Sequence, residues 1–397
     1  LLEMCFSNME GGMEISLNKI KEDDIIKILF AENPGIVIQV KNKHKEEVKK
    51  ILEDAGIGYV KLGKPTEERH ILVEKGDATY QFGIDYLRDV WYSTSYLLDC
   101  KQSMNGCAKK RFENYKKQPL EFVFDKSFTG KLSQFGLNPD RRTPTGIKAA
   151  IIREKGTNGE REMAYMLYLA GFDVKDVTMT DLVSGRETLE DINFIVFCGG
   201  FSNSDVLGSA KGWAGAFLFN PKAKAALDNF YARKDTLSLG VCNGCQLMIE
   251  LNLINPDFTQ KAKMLHNDSH KFESKFVGVT VPMNRSVMFG SLSGSKLGIW
   301  VAHGEGKFSL PDDEDQYNVV LKYSYDEYPG NPNGSDYSVA GLASPDGRHL
   351  AMMPHLERSC FPWQNAYYPA DRIKNDQITP WMEAFVNARK WVEMNKK

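Results

Sequence analysis

The sequence predicts an α/β fold with a doubly wound, mostly parallel sheet for residues 147–397. Three short apolar runs, at 149–152, 172–177 and 194–198, alternate with helical patterns, and this alternation is typical of parallel sheets. A fourth run, at 237–241, leads through a glycine-flanked cysteine into another helical pattern. Because ligands bind outside the carboxyl ends of the strands in such sheets, we expect the functional residues to follow these runs.

The first 85 residues predict a smaller α/β unit. Strands are expected at 35–40, 59–62 and 69–73, and a helix is expected at 44–55, where apolar residues recur at helical spacing. The chain begins without methionine and inside an apolar segment. We therefore interpret it as a piece of a longer protein, in which this unit is truncated.

Residues 86–146 predict a helical linker between the two parts. Leu87, Val90, Trp91 and Leu98 share one face of a helix, and a sequence rich in lysine and asparagine follows. This region contains no motif with an evident chemical function.

Composition limits the class of protein. The 397 residues are 42% hydrophobic and 26% charged, which predicts two or three globular domains with ordinary cores. The 50 basic residues nearly balance the 52 acidic ones, so we expect neither nucleic acid nor a membrane as partner. Seven scattered cysteines indicate a reducing compartment, and no signal peptide or membrane-length apolar run is present, which predicts a cytoplasmic protein.

The stretch Gly-Val-Cys-Asn-Gly-Cys-Gln at 240–246 is the strongest functional signal. It places Cys242 between a buried strand and a helix, with glycines two residues before it and two residues after it. These glycines permit the sharp turn of a nucleophile elbow, because a Cβ at either position would collide with the neighbouring turn. Amides at a helix N-terminus favour a thiolate, so Cys242 is predicted to be a nucleophile.

Cys242 and Cys245 also form a C-x-x-C pair, which allows other interpretations. Zinc requires further ligands and the remaining cysteines are scattered singly, so we expect no metal site. A thioredoxin-like dithiol also lies at a helix N-terminus and stays open at this point. Burial as a small apolar side chain is the commonest role of a free cysteine, and we expect it for Cys245.

Two further stretches complete a candidate site. The turn at 199–202 follows the third strand and can direct backbone amides at an oxyanion, although a plain tight turn has the same composition. The run 349–353 leads into His355 and Glu357, which point to the same side of an extended chain. Glu357 can then accept a hydrogen bond from the imidazole and select its tautomer.

Together these motifs resemble the class I glutamine amidotransferase domain of the large, single-chain phosphoribosylformylglycinamidine synthases. They are Gly-Val-Cys-Asn-Gly-Cys-Gln at 240–246, Cys-Gly-Gly-Phe-Ser at 198–202, His-Gly-Glu-Gly at 303–306 and Pro-His-x-Glu-Arg at 354–358, with supporting stretches at 153–159, 205–208 and 271–273. Residues 31–40 are similar to the second synthetase half of that family. The resemblance implies a flavodoxin-like class I glutaminase fold, preceded by a truncated domain that resembles the C-terminal domain of aminoimidazole ribonucleotide synthetase.

The resemblance also implies a function, which is that of a glutamine-hydrolysing carbon–nitrogen ligase in purine biosynthesis. This fragment would be the glutaminase half of that enzyme, supplying ammonia for the ATP-dependent conversion of formylglycinamide ribonucleotide to formylglycinamidine ribonucleotide. Cys242 would form a thioester with glutamine, while His355, oriented by Glu357, would transfer protons. The implied partners are glutamine and N-terminal synthetase domains of the same chain. No cofactor is implied for the fragment, whereas ATP and Mg²⁺ would bind to the full-length enzyme.

Five further residues are assigned by the resemblance to the oxyanion and the substrate. The amide of Asn243 and one amide from Gly200 or Phe201 would hold the oxyanion, and Gln246 and His303 would help to position glutamine.

One departure from the family pattern is Leu356, which stands where the family usually has proline between His and Glu. Two other functions stay open on the residues alone. A redox dithiol protein would need Cys245 as much as Cys242, and a non-catalytic docking module would hold a partner through apolar faces such as the helix predicted at 379–394.

Overall fold

The structure is a computed structural model that describes residues 1–8, 10–118 and 120–396. It divides into two compact units, Leu1–Lys101 and Gln102–Lys397. The division falls inside the region 86–146 that the sequence predicts as a linker, at the end of a long helix. The finer domain bounds, 1–85, 86–146 and 147–397, stay a prediction.

The first unit is built around a small mixed sheet. In the described residues its elements are β1 (Gly12–Ser16), α1 (Ile25–Phe30), α2 (Lys45–Asp54), β2 (Gly63–Thr66), β3 (His70–Lys75), β4 (Ala78–Gly83) and α3 (Ile84–Gln102). The strand order is β2-β1-β3-β4, with β1 and β3 parallel and the other neighbours antiparallel. Its small core includes Ile15, Ile71, Val73 and Ile84. The helix predicted at 44–55 and the strand predicted at 69–73 are present as α2 and β3.

Two strands predicted in this unit do not form. Residues 35–40 are irregular, with Ile36 and Ile38 exposed to solvent, and residues 59–62 are also irregular. A strand is stabilised by pairing with a neighbour. Residues 35–40 pair with no other described strand, and in 59–62 only the Leu62 carbonyl contacts β1, where it accepts the Ser16 N–H at 2.7 Å. β-Branched composition was therefore insufficient evidence for a strand at either place.

The second unit contains the remaining elements of the described chain. These are α4 (Cys107–Asn114), β5 (Lys148–Arg153), α5 (Glu160–Ala170), β6 (Asp173–Thr178), α6 (Met179–Ser184), β7 (Phe194–Phe197), α7 (Lys211–Leu218), α8 (Pro221–Ala232), β8 (Leu237–Val241), α9 (Asn243–Glu250), β9 (Lys263–Leu265), β10 (Glu273–Thr280), β11 (Lys296–His303), β12 (Lys307–Ser309), β13 (Asn318–Tyr323), β14 (Val339–Ala343), β15 (His349–Met352) and α10 (Trp381–Asn395).

The main sheet of this unit confirms the predicted α/β class. Its strand order is β11-β10-β13-β14-β15-β8-β7-β5-β6. The strands from β15 to β6 run parallel, and β14, β13, β10 and β11 extend the sheet with antiparallel pairs. The parallel part has helices between its strands, as the alternating pattern predicted. The antiparallel extension was not predicted, because its strands follow one another without intervening helices.

Local sequence explains where the helices begin and end. Asn220 caps α8 by accepting hydrogen bonds from two backbone amides, and Pro221 occupies the first helical position. Gly171 ends α5 in the left-handed region, at φ +104°. The core between helices and sheet is aromatic at its centre, where Phe197 contacts Trp213 and Phe217 edge to face. In the described part of the chain, no helix has the length and apolar character needed to cross a bilayer.

Candidate active site

Strand order brings the predicted cysteine and histidine together. β8 and β15 are parallel neighbours, with Val241 paired to Met352. Cys242 follows the first strand and donates its backbone N–H to the Met352 carbonyl at 2.9 Å. His355 follows the second strand, and its backbone N–H donates to the Trp300 carbonyl at 2.8 Å. Both residues therefore lie at the carboxyl edge of the parallel sheet, where ligands bind in this fold.

Cys242 occupies a sharp strand-to-helix turn with φ +53° and ψ −110°. A non-glycine residue in such a conformation is strained by about 1–3 kcal/mol, which is typical of a nucleophile elbow. The flanking glycines are needed because the backbone is close on both sides. A Cβ at Gly240 would lie 2.5 Å from the Gly244 carbonyl oxygen, and one at Gly244 would lie 2.0 Å from that of Phe197. The structure thus confirms the prediction that a Cβ at either position would collide with neighbouring backbone.

His355 and Glu357 form a buried pair. His355 Nδ1 lies 2.6 Å from Glu357 Oε1, and both side chains are about 2% exposed. Burial of the ring opposes its protonation, but the charge of Glu357 and then the sulfur of Cys242 outweigh burial and raise the pKa of His355 to about 10. The imidazole is therefore held in its protonated form at neutral pH, next to the cysteine.

The backbone between these two residues differs from the extended chain that the sequence predicted. Leu356–Arg358 form a turn of 3-10 helix, with His355 as the residue before it. Residues two apart in an extended chain point to the same side, whereas here the turn itself brings the carboxylate back to the imidazole. Leu356 is the first residue of this turn and is fully buried. Proline, which lacks an N–H, is favoured at the first position of a helix because an N–H there has no partner within the helix. Leucine adds that N–H, and the turn forms with it in place.

Gly199 separates the side chains of Cys242 and His355. A Cβ at this position would lie 2.9 Å from His355 Cε1 and 3.2 Å from Cys242 Cβ. Neither neighbour can move freely, since His355 is held by Trp300 and Glu357 and Cys242 is held by Met352.

For the glutamine hydrolysis that the sequence resemblance implies, we expect Gly199→Ala to lower the rate by about a hundredfold, because displacing a reacting group by about 1 Å has an effect of that size. The measurement is the rate of glutamate release, together with the thermal midpoint. Gly215→Ala is the control, since a Cβ there meets only the Phe219 ring at 3.7 Å inside α7. Equal activities of the two variants would show that Gly199 is not needed for spacing.

The turn after β7 contributes one available amide to the site. Gly200 has φ +117° and forms an isolated bridge with Thr157, in which Phe201 N–H donates to the Gly156 carbonyl at 2.8 Å. The Phe201 amide is therefore already used. The Gly200 N–H has no acceptor among the described residues and lies next to Gly199, which adjoins Cys242. The N–H of Asn243 begins α9, where an amide has no acceptor within the helix.

Gln246, which the resemblance assigns to glutamine positioning, is held by two hydrogen bonds within the protein, and its role toward glutamine stays a prediction. Its Nε2 donates to the Glu305 carbonyl at 2.7 Å, and its Oε1 accepts from Asn243 Nδ2 at 2.9 Å. Asn243 Oδ1 in turn accepts the Ser202 N–H at 3.0 Å. These side chains tie the elbow helix to the turn after β7 and to residues 303–306, so Gln246 holds the walls of the site together.

His303 lies beside the pair but makes no hydrogen bond through either ring nitrogen within the described residues. Burial, followed by the charge of His355, lowers the pKa of His303 to about 3, so this ring is neutral. Its neighbour Ala302 has its carbonyl oxygen 3.6 Å from Cys242 Sγ. His303 is thus a neutral, unpaired polar group in the wall next to the nucleophile.

Two buried asparagines that support the site, Asn267 before β10 and Asn333 before β14, could not be identified from the sequence. Asn267 is fully buried, donates to the His303 carbonyl at 2.8 Å and accepts the Gly306 N–H at 3.0 Å. Asn333 donates to the Gly306 carbonyl at 2.8 Å. Clusters of Asn, Ser, Asp and Gly at 266–270 and 331–336 were the only signal, and such clusters are typical of ordinary turns.

All seven cysteines are unpaired; Cys245 is fully buried, Cys100 is exposed and the other five are buried. Burial raises the pKa of the Cys245 thiol well above its usual range. Cys245 therefore has the environment of a buried apolar side chain rather than that of a reactive thiol. Within the described ranges, no group of three or more His, Cys, Asp or Glu side chains could hold a metal ion.

An α/β sheet with a cysteine elbow and an adjoining His–Glu pair defines the class of hydrolases and acyltransferases that use a cysteine nucleophile. The chain belongs, more specifically, to the family of CobB/CobQ-like glutamine amidotransferase domains, whose model matches residues 146–392. This match confirms the predicted glutamine amidotransferase domain and favours it over a redox dithiol protein.

Named relatives extend the similarity beyond that domain. The chain is 38% identical to the human phosphoribosylformylglycinamidine synthase, over 98% of the chain and 31% of the relative. It is 36% identical to a probable chloroplastic or mitochondrial phosphoribosylformylglycinamidine synthase of Arabidopsis thaliana, over 99% of the chain and 29% of the relative. The resemblance noted in the sequence is thereby confirmed, and the chain spans about a third of the length of these relatives. Among solved structures, PurLQS from Thermotoga maritima matches 63% of the chain and 99% of its own, at 28% identity and a TM-score of 0.47.

Proposed function

We propose that this chain is the glutaminase part of a phosphoribosylformylglycinamidine synthase. It would hydrolyse glutamine through a thioester on Cys242 and supply ammonia for the ATP-dependent conversion of formylglycinamide ribonucleotide to formylglycinamidine ribonucleotide. The observation that carries the proposal is the Cys242 elbow beside a His355 that Glu357 holds protonated. The relatives named above support the choice of this synthase among glutamine-dependent enzymes.

The first half-reaction forms the thioester. The Cys242 thiolate attacks the side-chain carbonyl carbon of glutamine, and the charge passes to the carbonyl oxygen, which accepts hydrogen bonds from the Gly200 and Asn243 amides. Each such donor contributes about 3 kcal/mol in comparable acyl transfers. The imidazolium of His355 then gives its proton to the amide nitrogen, the carbon–nitrogen bond breaks, and ammonia leaves.

The second half-reaction regenerates the enzyme. The neutral His355 takes a proton from water, and the resulting hydroxide attacks the thioester carbon. The same two amides hold the second oxyanion, the carbon–sulfur bond breaks, and glutamate leaves. The thiolate and the imidazolium are restored. Glu357 accepts the Nδ1–H of His355 throughout, which keeps Nε2 directed at the reacting groups.

ATP, Mg²⁺ and the ribonucleotide are assigned in this proposal to the synthetase part of the longer protein. The stretch 290–296, which combines glycine, serine and lysine, does not fit a phosphate, because its spacing is wrong and Lys296 pairs with Glu121 at 2.6 Å. The steps of glutamine hydrolysis proposed above use only glutamine, water and residues of this chain. The seven unpaired cysteines support a reducing compartment, and we propose the cytoplasm.

The test of the proposal is labelling with a diazo-ketone analogue of glutamine, followed by peptide mapping by mass spectrometry. We expect a single adduct on Cys242, which excess glutamine blocks and Cys242→Ala removes. The reagent reacts with a thiolate in a site that recognises glutamine, so specific protection distinguishes a glutaminase from a generally reactive thiol. No adduct, or equal labelling of Cys242 and Cys245, would contradict the proposal.

A further inference from the structure

The helix α4 lies outside the residues that match the family model, yet it is fastened to a loop that supports the site. The match begins at residue 146, whereas α4 spans Cys107–Asn114. The loop consists of residues 267–273, here called the polar loop. Just before α4, Met104 N–H donates to the Ser269 carbonyl at 3.0 Å, and Asn105 Nδ2 donates to the Asp268 carbonyl at 2.8 Å.

A buried ion cluster forms the second attachment. Glu273, about 3% exposed, ends the polar loop and accepts hydrogen bonds from Ser269 Oγ at 2.6 Å and from the Tyr328 hydroxyl at 2.9 Å. Lys275 Nζ lies 2.7 Å from its carboxylate, and Arg111 Nη2, from α4, lies 3.3 and 3.4 Å from the two carboxylate oxygens. The guanidinium of Arg111 also stacks 5.0 Å from the centre of the Tyr328 ring. Through Arg111, α4 therefore places a positive charge beside the Glu273 carboxylate, which has little access to water.

The polar loop continues to the wall of the site. Asn267 holds both the His303 carbonyl and the Gly306 N–H, and Glu273 is paired directly with His303 across β10 and β11. The Glu305 carbonyl then receives Gln246 from the elbow helix at 2.7 Å. Arg111 therefore contacts Glu273, and Glu273 is the strand partner of His303, the first residue of the turn 303–306. The carbonyl of Ala302, which immediately precedes this turn, lies next to the nucleophilic sulfur.

We propose that Arg111 is a positioning residue for glutamine hydrolysis, so that the working site extends beyond the matched domain to α4. By holding Glu273 and the polar loop, Arg111 keeps the turn 303–306 in the place where a bound glutamine would contact it. This inference rests on the proposed glutaminase function. The positioning is indirect, because Arg111 touches none of the reacting groups.

The chain contains a matched control for this cluster. Arg372 pairs with the buried Asp376 at 2.8 Å, the Tyr368 hydroxyl donates to the same carboxylate at 2.7 Å, and the Arg372 guanidinium stacks on Phe124 at 4.8 Å. Both clusters join an arginine, a tyrosine hydroxyl and a carboxylate, and Glu273 has Lys275 as an additional partner. No hydrogen bond joins the second cluster to the polar loop or to the turn 303–306 among the described residues. We therefore expect Arg372→Met to lower stability as the loss of a buried arginine pair does, while leaving the turn 303–306 and the activity unchanged.

The experiment compares Arg111→Met, Arg111→Lys and Arg372→Met in the full chain. For Arg111→Met we expect kcat/KM for glutamine, and the rate of Cys242 labelling by the diazo-ketone analogue, to fall about tenfold or more. Labelling by iodoacetamide, which needs no glutamine pocket, is expected to stay within about twofold, because the elbow itself is unchanged. Arg111→Lys is expected to restore at least half of the loss, since it retains the charge near Glu273.

A second variant keeps the test decisive if Arg111→Met does not fold. Ser269→Ala removes one hydrogen bond from Glu273 without leaving a charge unpaired, and we expect a smaller change in the same direction. The inference alone would be overturned by equal losses in Arg111→Met and Arg372→Met that follow their thermal midpoints, or by unchanged activity of Arg111→Met. If Arg111→Met does not fold, unchanged activity of Ser269→Ala would overturn it. Absence of a glutamine-protected adduct in the unsubstituted chain would overturn the proposed function and this inference with it.

Discussion

Cys242→Ala is expected to abolish glutamine hydrolysis, with a loss of about 10⁴-fold or more, because the proposed thioester forms on the Cys242 sulfur. The side chain is buried at the elbow with its Sγ near the Ala302 carbonyl, and alanine is smaller and fits the same backbone. The variant is therefore expected to remain folded. The measurement is glutamate release under saturating glutamine, with circular dichroism and the thermal midpoint as checks on folding.

Cys245→Ala is the matched control for this prediction. Cys245 lies three residues away on the same helix, is fully buried and has its thiol pKa raised by burial. Its replacement removes one buried sulfur and is expected to change activity by less than about threefold, with a modest decrease in stability. If the two variants lost activity equally, the redox dithiol interpretation of the C-x-x-C pair would replace the glutaminase.

Glu357→Gln is expected to lower activity at neutral pH by about a hundredfold or more and to change the pH profile. Burial disfavours the charged form of His355, and the charge of Glu357 is the largest effect that opposes burial. Without this charge, the pKa of His355 falls, and the proton that ammonia needs is no longer held on the ring at neutral pH. The measurement is kcat/KM for glutamine from about pH 6 to the alkaline limit of protein stability.

The sign of the pH effect follows from the role of the imidazolium. In the unsubstituted chain His355 is protonated below its pKa of about 10, so activity that needs the proton decreases only as the pH rises through that value. In Glu357→Gln this decrease is expected at a lower pH. Glu162→Gln serves as the control, because Glu162 lies 3.8 Å from Arg358 at the same edge of the site but is largely exposed. An alkaline limb at the same pH in all three proteins would show that Glu357 does not hold the proton on His355.

The parts of the site that depend on neighbouring residues in the chain were predictable. Glycines at 240 and 244 indicated the elbow, since the requirement for a missing Cβ is local to one turn. The contact between His355 and Glu357 was also predicted, although by an extended backbone that the structure replaces with a 3-10 turn. Side chains two residues apart can be close in either conformation. The contact was therefore predicted correctly although the backbone conformation was not.

Predictions failed where a segment needed a partner from elsewhere. The β-branched run at 35–40 has the composition of a strand but no neighbour with which to pair. The region after α3 contains no motif with an evident chemical function, and nothing in it predicts the contact of Arg111 with Glu273, which lies 162 residues later in the chain. A lone arginine in a lysine-rich helix has no sequence pattern that distinguishes it from a solvated one.

The sequence by itself determined the α/β class, the cysteine elbow and the His355–Glu357 pair beside it, because each is encoded within one strand, turn or helix. Only the tertiary structure decided which amide of the turn after β7 is available, since Gly156 takes the Phe201 N–H and leaves that of Gly200. It also decided that Gln246 holds the turn 303–306 and that α4 supports the polar loop. The physical reason is that a hydrogen bond selects its partner by position in space, and these partners lie far apart in the chain.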